Sequence, residues 1–344
     1  MLMEITDLLL RVAILLLTMI PGVIMRVCKL CPENFGKGIS NLVLYIAQPL
    51  LVLYSYLGYK GSFADIWQNV VAVFVLSVVA HLIFALGAAP LFRGAEEDKR
   101  KMLRMATIFS NAAFMGIPLI KLILGAECAI YASIYNVTYN MFLWTLGVHI
   151  CTVKEGEDLD GDGDHDRTDR IISAHKNMKR ADSFLRVLVH PVSIASVLGI
   201  ICLIFSVNEE VLTNIGLGLV PETLGMLSAL VAPLSMIVIG LRIPDVKWGE
   251  AIRDGRAYLF LAMRHLVLPL AVVGVMRLAM LVGISISAES LQVVTILASA
   301  PAASSCSMFA EKFGCNSAYA GRLVTMSTIV CIITMPLIMA VAMA

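Results

Sequence analysis

The chain alternates long apolar runs with short polar breaks. A helix that crosses the hydrocarbon core of a bilayer needs roughly 20 apolar residues. About ten runs approach that length: 5–25, 39–57, 67–91, 102–124, 129–152, 184–207, 221–243, 258–282, 291–313 and 318–344. Lipid offers the backbone no hydrogen-bond partners, so each run is predicted to be α-helical. The first run already nears full membrane length and no small-residue cleavage site closes it, so no cleavable leader is expected.

Composition agrees with lipid as the solvent. Of 344 residues, 59% are hydrophobic and 15% charged, with a mean hydropathy of +0.87. A soluble domain is about half apolar and about a quarter charged. The charges collect in a few loops, so the net +1 says nothing about partners. No basic stripe interleaved with aromatics appears, which argues against nucleic acid. The 8 cysteines are scattered, mostly inside apolar runs. Cys28 and Cys31 form a CxxC without a second pair, so free thiols are expected and no metal or cofactor.

Lys and Arg alternate from loop to loop. Arg26, Lys29 and Lys37 follow the first run, and Lys60 alone follows the second. Arg93, Lys99, Arg100, Lys101 and Arg104 follow the third. Stretch 208–220 has Glu209 and Glu210 and no base, whereas Arg242, Lys247, Arg253 and Arg256 follow the seventh run. Basic loops stay in the cytoplasm. The pattern predicts a multi-pass protein of the cell (plasma) membrane with both termini outside.

The long polar stretch, 154–182, falls between the fifth and sixth runs. An odd number of spans on each side makes the halves face opposite ways, as in an inverted repeat. Ala47-Gln48-Pro49-Leu50 resembles Ala232-Pro233-Leu234, Gly125 corresponds to Gly314, and Ala129-Ile130-Tyr131-Ala132 resembles Ala318-Tyr319-Ala320. The offsets are nearly constant: 184, 189 and 188 residues. The expected organisation is a five-helix repeat over 1–153, a cytoplasmic acidic loop over 154–182, and a second, inverted repeat over 183–344.

Two runs look broken. The fourth contains Ser110-Asn111-Ala112-Ala113-Phe114-Met115-Gly116-Ile117-Pro118, and the ninth Ser299-Ala300-Pro301-Ala302-Ala303-Ser304-Ser305. Proline has no N–H to give the carbonyl four residues back. Such defects survive in lipid only where protein or a watery cavity covers them. Breaks near Asn111 and Pro301 expose half-helix N-termini, whose partial positive charge favours an anion. A plain proline kink is the bland alternative. The expected substrate-binding residues are Ser110, Asn111, Pro118, Pro301, Ser304 and Ser305.

Asn136, Tyr139 and Asn140 share one face of the fifth run at i, i+3, i+4 spacing. They reach either a substrate or a neighbouring helix. His81 and His265 are ionisable groups within spans, suited to proton coupling or to packing. Arg264, beside His265 and about two turns inside the cytoplasmic end, is either a functional group of the same kind or one that simply snorkels. In the polar stretch, Asp158, Asp160, Asp162, Asp166 and Asp169 have the spacing of a calcium loop. His165 stands where an aliphatic residue belongs and Asp169 where Glu belongs. A solvated acidic linker is the favoured account over calcium. No zinc-helix, phosphate-loop or nucleophile-elbow motif suggests an enzyme.

Asn111 to Pro118, His190-Pro191 with Gly199, Ala232-Pro233 to Gly240, Leu268-Pro269, and Ala300-Pro301 to Gly314 together resemble the auxin efflux carrier family. The resemblance covers nearly the whole chain. It implies an all-α membrane fold of ten helices in two inverted five-helix repeats. Helices four and nine cross at the substrate site, and the other helices supply a scaffold for a homodimer. It places Asn111 on the family's crossover asparagine and Pro301 on its crossover proline. Ser110 stands where the plant carriers have proline, and Ala302 where they have a polar residue. These departures, with the short central loop, favour the prokaryotic malate/malonate permease-like branch. The expected function is secondary transport of a small organic anion, carboxylate or dicarboxylate. A receptor that binds the ligand without moving it is the alternative.

Overall fold

The computed structural model describes residues 10, 13–14, 17–32, 34–125, 127–153 and 190–344. The polar stretch 154–182, with Asp158, Asp160, Asp162, Asp166 and Asp169, lies outside the described residues, as does the start of the sixth run. In chain order the first helices are α1 (Ile20–Val27), α2 (Phe35–Leu57), α3 (Phe63–Ala88), α4 (Glu97–Ile108) and α5 (Ala112–Leu124). Next come α6 (Cys128–Phe142, prolonged by Leu143–Gly147 and Val148–Thr152), α7 (Pro191–Ile204), α8 (Glu209–Asn214) and α9 (Leu219–Arg242). The last are α10 (Trp248–Arg253), α11 (Gly255–Leu281), α12 (Ala288–Ser299), α13 (Ser305–Phe313) and α14 (Ser317–Met343).

Helices α2, α3, α9, α11 and α14 are each long and apolar enough to cross a membrane. The fourth run is split into α4 and α5, and the ninth into α12 and α13. Polarity is reversed relative to a water-soluble protein. Phe205, Leu219, Met226 and Leu281 stand exposed, while Asn111, Asn136, His81, Arg264, His265 and Ser327 are buried. Hydrocarbon wets the apolar outside, and polar side chains find partners only inward.

Proline shapes the long helices in a repeated way. The turns Val43–Ala47, Ala112–Gly116 and Met263–Val267 are π-helical, and Pro49, Pro118 and Pro269 each follow two residues later. A proline ring collides with the carbonyl four residues back and leaves it without a donor. Widening the preceding turn relieves both faults without ending the helix.

The helices pack in corresponding pairs. α1 lies against the second half of α9, and α7 against the second half of α2. α3 packs on α6, as α11 does on α14. α12 packs on α6, as α4 does on α14. The α1–α9 contact is backbone to backbone: a Cβ at Gly22 would sit 2.2 Å from the Ile237 carbonyl oxygen, and one at Gly240 2.1 Å from that of Met19. α5 ends at Gly125 (φ 93°) and α13 at Gly314 (φ 74°), left-handed positions that favour glycine.

Candidate functional site

Both breaks lie in one place. α4 ends at Ile108 and the chain turns extended at Phe109 (φ −93°, ψ 116°) before α5 begins. α12 ends at Ser299, and Ala300 is extended (φ −59°, ψ 152°), the conformation that a following proline imposes. The two open segments pair as a single antiparallel bridge between Ser110 and Ala302. Asn111 N donates to Pro301 O at 2.7 Å, and Ala303 N to Phe109 O at 2.9 Å. Each break thereby satisfies backbone groups that the other releases, as burial requires.

α11 braces this crossover through its π turn. Arg264 is 0% exposed. Its Nη1 donates to Thr107 O at 3.2 Å and its Nη2 to Ala300 O at 2.6 Å. Its guanidinium lies 4.6 Å from the centre of the Phe84 ring. Arg264 therefore does not snorkel, because the last carbonyls of α4 and the end of α12 hold its head group inside. His265 Nε2 meets Ser327 Oγ at 2.8 Å, and Ser327 Oγ accepts from Ala302 N at 2.8 Å. Thr334 Oγ1 contacts His265 Nδ1 at 3.0 Å.

A cavity of about 120 Å³ opens beside the crossover. Ser110, Asn111, Asn136, Tyr139, Asn140 and Ser305 line it. The face of α6 defined by i, i+3, i+4 spacing thus points into the space between the breaks. Tyr139 hydrogen-bonds Ser305 hydroxyl to hydroxyl, tying α6 to the start of α13. Asn140 Nδ2 donates to Asn136 O at 2.9 Å. Several wall atoms are buried without a partner: Gln48 Oε1, Asn111 Nδ2, and both Nδ2 and Oδ1 of Asn136. Buried polar atoms ordinarily find partners, so such a cluster around a cavity makes it a candidate binding site.

Other expected residues stand apart. Pro118, Pro301 and Ser304 are buried outside the cavity wall. Pro301 acts through its carbonyl, and Pro118 through the widened turn before it. His81 lies behind the α6 aromatics. Its Nδ1 bonds Ser77 O at 2.7 Å, and its ring stacks on Phe142 with centroids 5.0 Å apart. His265 sits on the far side of the α12–α13 break.

The wall also holds Tyr45, Gln48, Trp144, His190 and Lys312, which were not among the expected binding residues. Lys312 Nζ lies 4.7 Å from the centre of the Trp144 ring. Its signal in sequence was a cation two residues before Gly314, within the last turn of the helix. Met308 and Lys312 border a second, larger cleft of about 920 Å³ as well. That cleft is bounded by basic turns, with Arg26 paired to Asp245 at 2.8 Å and Arg322 to Glu250 at 3.2 Å.

The chain resembles known proteins over nearly its whole length. A family model described as membrane transport protein matches residues 8–339. An "uncharacterized transporter" of Methanothermobacter thermautotrophicus (strain Delta H) is 25% identical over 334 residues, covering 96% of each chain. The match runs through both breaks, α6 and the bracing turn of α11, so the crossover is embedded in the matched region rather than appended to it. The chain belongs to the membrane transport protein family, the auxin efflux carriers, and is a membrane transporter.

Proposed function

We propose that the chain is a secondary carrier of a small organic anion, a mono- or dicarboxylate, working by alternating access around the crossover. One observation carries the substrate class. The cavity wall presents the unpartnered amide of Asn111 Nδ2, the hydroxyl of Ser305 and the cation of Lys312, and among the described residues no Asp or Glu lines it. The N-terminal ends of α5 and α13 approach the same space through Ala113 and Ser305. Helix N-termini and a nearby ammonium favour negative charge, and an amide N–H suits a carboxylate oxygen.

The architecture we propose is ten spans in two inverted five-helix repeats. The corresponding helix contacts and the two mutually paired breaks support it. The alternating Lys/Arg pattern orients both termini outside the plasma membrane. On that orientation the cleft of about 920 Å³ opens to the cytoplasm, so the described state faces inward. Association as a homodimer rests on the family resemblance. The chain has no phosphate-loop motif, which favours a gradient over its own ATP hydrolysis as the driving force.

The test is a thermal-shift screen of small carboxylates on purified protein, followed by counterflow of each hit in proteoliposomes. A bound ligand raises the melting temperature of the state it binds. Stabilisation and counterflow by carboxylates support the proposal. Stabilisation only by amines or neutral solutes refutes the substrate class, and binding without counterflow refutes transport.

A further inference from the structure

The crossover has two electrical sides. The cavity wall takes in Ala113 of α5 and Ser305 of α13 and, among the described residues, none of α4 or α12. Each helix C-terminus carries roughly half a negative charge on its free carbonyls. Thr107 O is among the last carbonyls of α4 and Ala300 O is the first carbonyl past α12, and both accept from the guanidinium of Arg264. Two such termini amount to about one negative charge, enough to balance one cation without a carboxylate. Among the described residues, the polar groups that Arg264 contacts are these carbonyls, and the Phe84 ring covers its face.

In carriers with broken helices, freed carbonyls and half-helix C-terminal ends are where a co-transported cation is coordinated. Here a side chain of the protein holds that place. We propose that Arg264 is the resident counter-cation of the crossover, a positioning residue that fills the carbonyl site a coupling cation otherwise takes. It fixes the two breaks in register, so that Asn111 and Ser305 face the cavity. It also makes a free sodium ion redundant on that side of the crossover. The neighbouring residue strengthens the assignment. His265 reaches the same break through Ser327 and Ala302 N, so consecutive residues of one π turn hold both the C-terminal carbonyl and the open segment after it.

The inference rests on the crossover as the centre of transport, but not on the identity of the substrate. Its test needs no substrate, so its failure is distinct from failure of the carboxylate assignment. Melting temperatures of purified wild type, R264K and R264M are measured in choline chloride. Sodium chloride or millimolar guanidinium chloride is then added at constant ionic strength. Wild type is expected to be indifferent to both additions. R264M, which keeps much of the volume and loses the charge, melts lower and regains stability saturably with guanidinium or sodium. R264K, which keeps a charge, falls between the two. A saturable sodium-dependent rise in wild type overturns the proposal, as does an R264M that melts like wild type or responds to neither cation. If R264M does not fold, R264K and the wild-type titration decide. A folded R264K with sodium-indifferent wild type supports the proposal. Loss of R264K as well overturns it, since shape rather than charge is then what the site needs.

Discussion

The backbone N–H of Asn111 donates to the carbonyl of Pro301 at 2.7 Å, across 190 positions of sequence, and so joins the two broken helices at their openings. The bond uses the main chain on both sides. The Asn111 side chain is left over, with its Nδ2 unpartnered in the cavity wall.

That division makes the backbone bridge and the side-chain amide of one residue separately testable. Asn111→Ala keeps the backbone bridge and removes only the cavity amide. A hydrogen bond to a charged group contributes about 1.5–3 kcal/mol. Substrate affinity is expected to fall roughly tenfold to a hundredfold, with the melting temperature of the ligand-free protein nearly unchanged. Pro301→Ala keeps the carbonyl but releases Ala300 from its extended conformation. A continuous helix then competes with the break, so both uptake and stability should drop. Uptake and melting curves on the same purified variants separate these outcomes. Wild-type uptake by Asn111→Ala would remove the crossover from the binding site.

Ser304 and Ser305 are neighbours with different surroundings. Ser305 lines the cavity and bonds the Tyr139 hydroxyl, whereas Ser304 is buried away from it. Ser305→Ala should weaken substrate binding several-fold, and Ser304→Ala should leave it within error. Equal effects on the apparent affinity would show that the start of α13 is not oriented toward ligand as described.

Gly22 and Gly240 set the distance between α1 and α9. An alanine Cβ would lie 2.2 Å from Ile237 O in one case and 2.1 Å from Met19 O in the other. Backbone cannot swing aside as a side chain does. Overpacking of this kind costs about 1–3 kcal/mol, so either alanine variant should melt several degrees lower. The double variant should lose less than the two losses combined, because one displacement relieves both clashes. Gly249→Ala, with open space around its Cβ position, is the control and should melt as wild type does.

The helical class, the splits at Asn111 and Pro301 and the α6 face were legible because each has a one-dimensional signature. Apolar length marks a span, proline among small polar residues marks a break, and i, i+3, i+4 spacing marks a face. Snorkelling stayed open for Arg264 because its distance from the membrane surface is visible in sequence and its partners are not. Thr107 and Ala300 lie 157 and 36 positions away and contribute only carbonyls, which every residue possesses. Gln48 and His190 were missed as cavity residues for a similar reason. Each stands beside a proline, Pro49 or Pro191, which offers a sufficient local explanation.

Cys28 reports on topology. It is exposed in the turn after α1, beside Arg26 and Lys29. If basic turns are cytoplasmic, a membrane-impermeant maleimide should label a variant retaining Cys28 alone in inverted vesicles and not in intact cells. Labelling in intact cells would reverse the orientation and turn the large cleft toward the outside.

Lys312 tests whether the cavity selects negative charge. Among the described residues it is the lysine or arginine of the small cavity wall, it borders the large cleft as well, and it is placed over the Trp144 ring. A cation there attracts an anion entering from the cleft and remains close once the anion is bound. At the interface between water and protein, one opposite charge a few ångströms away is worth up to about 4 kcal/mol before desolvation. A net loss of about 1.4 kcal/mol, or tenfold in affinity, is expected for Lys312→Gln. Lys312 also sits in the last turn of α13, where a cation favours the helix end, so a small loss of stability should accompany the change. Lys247→Gln, on the exposed rim of the same cleft, should alter affinity little, because its charge is already screened by water. The distinguishing measurement is the carboxylate-induced thermal shift at two ionic strengths. Wild type should lose part of its affinity at high salt, and Lys312→Gln should lose less, having no charge there to screen. If both proteins bind equally well and respond equally to salt, the ammonium plays no part in recognition. The half-helix N-termini and the Asn111 amide must then account for anion binding by themselves.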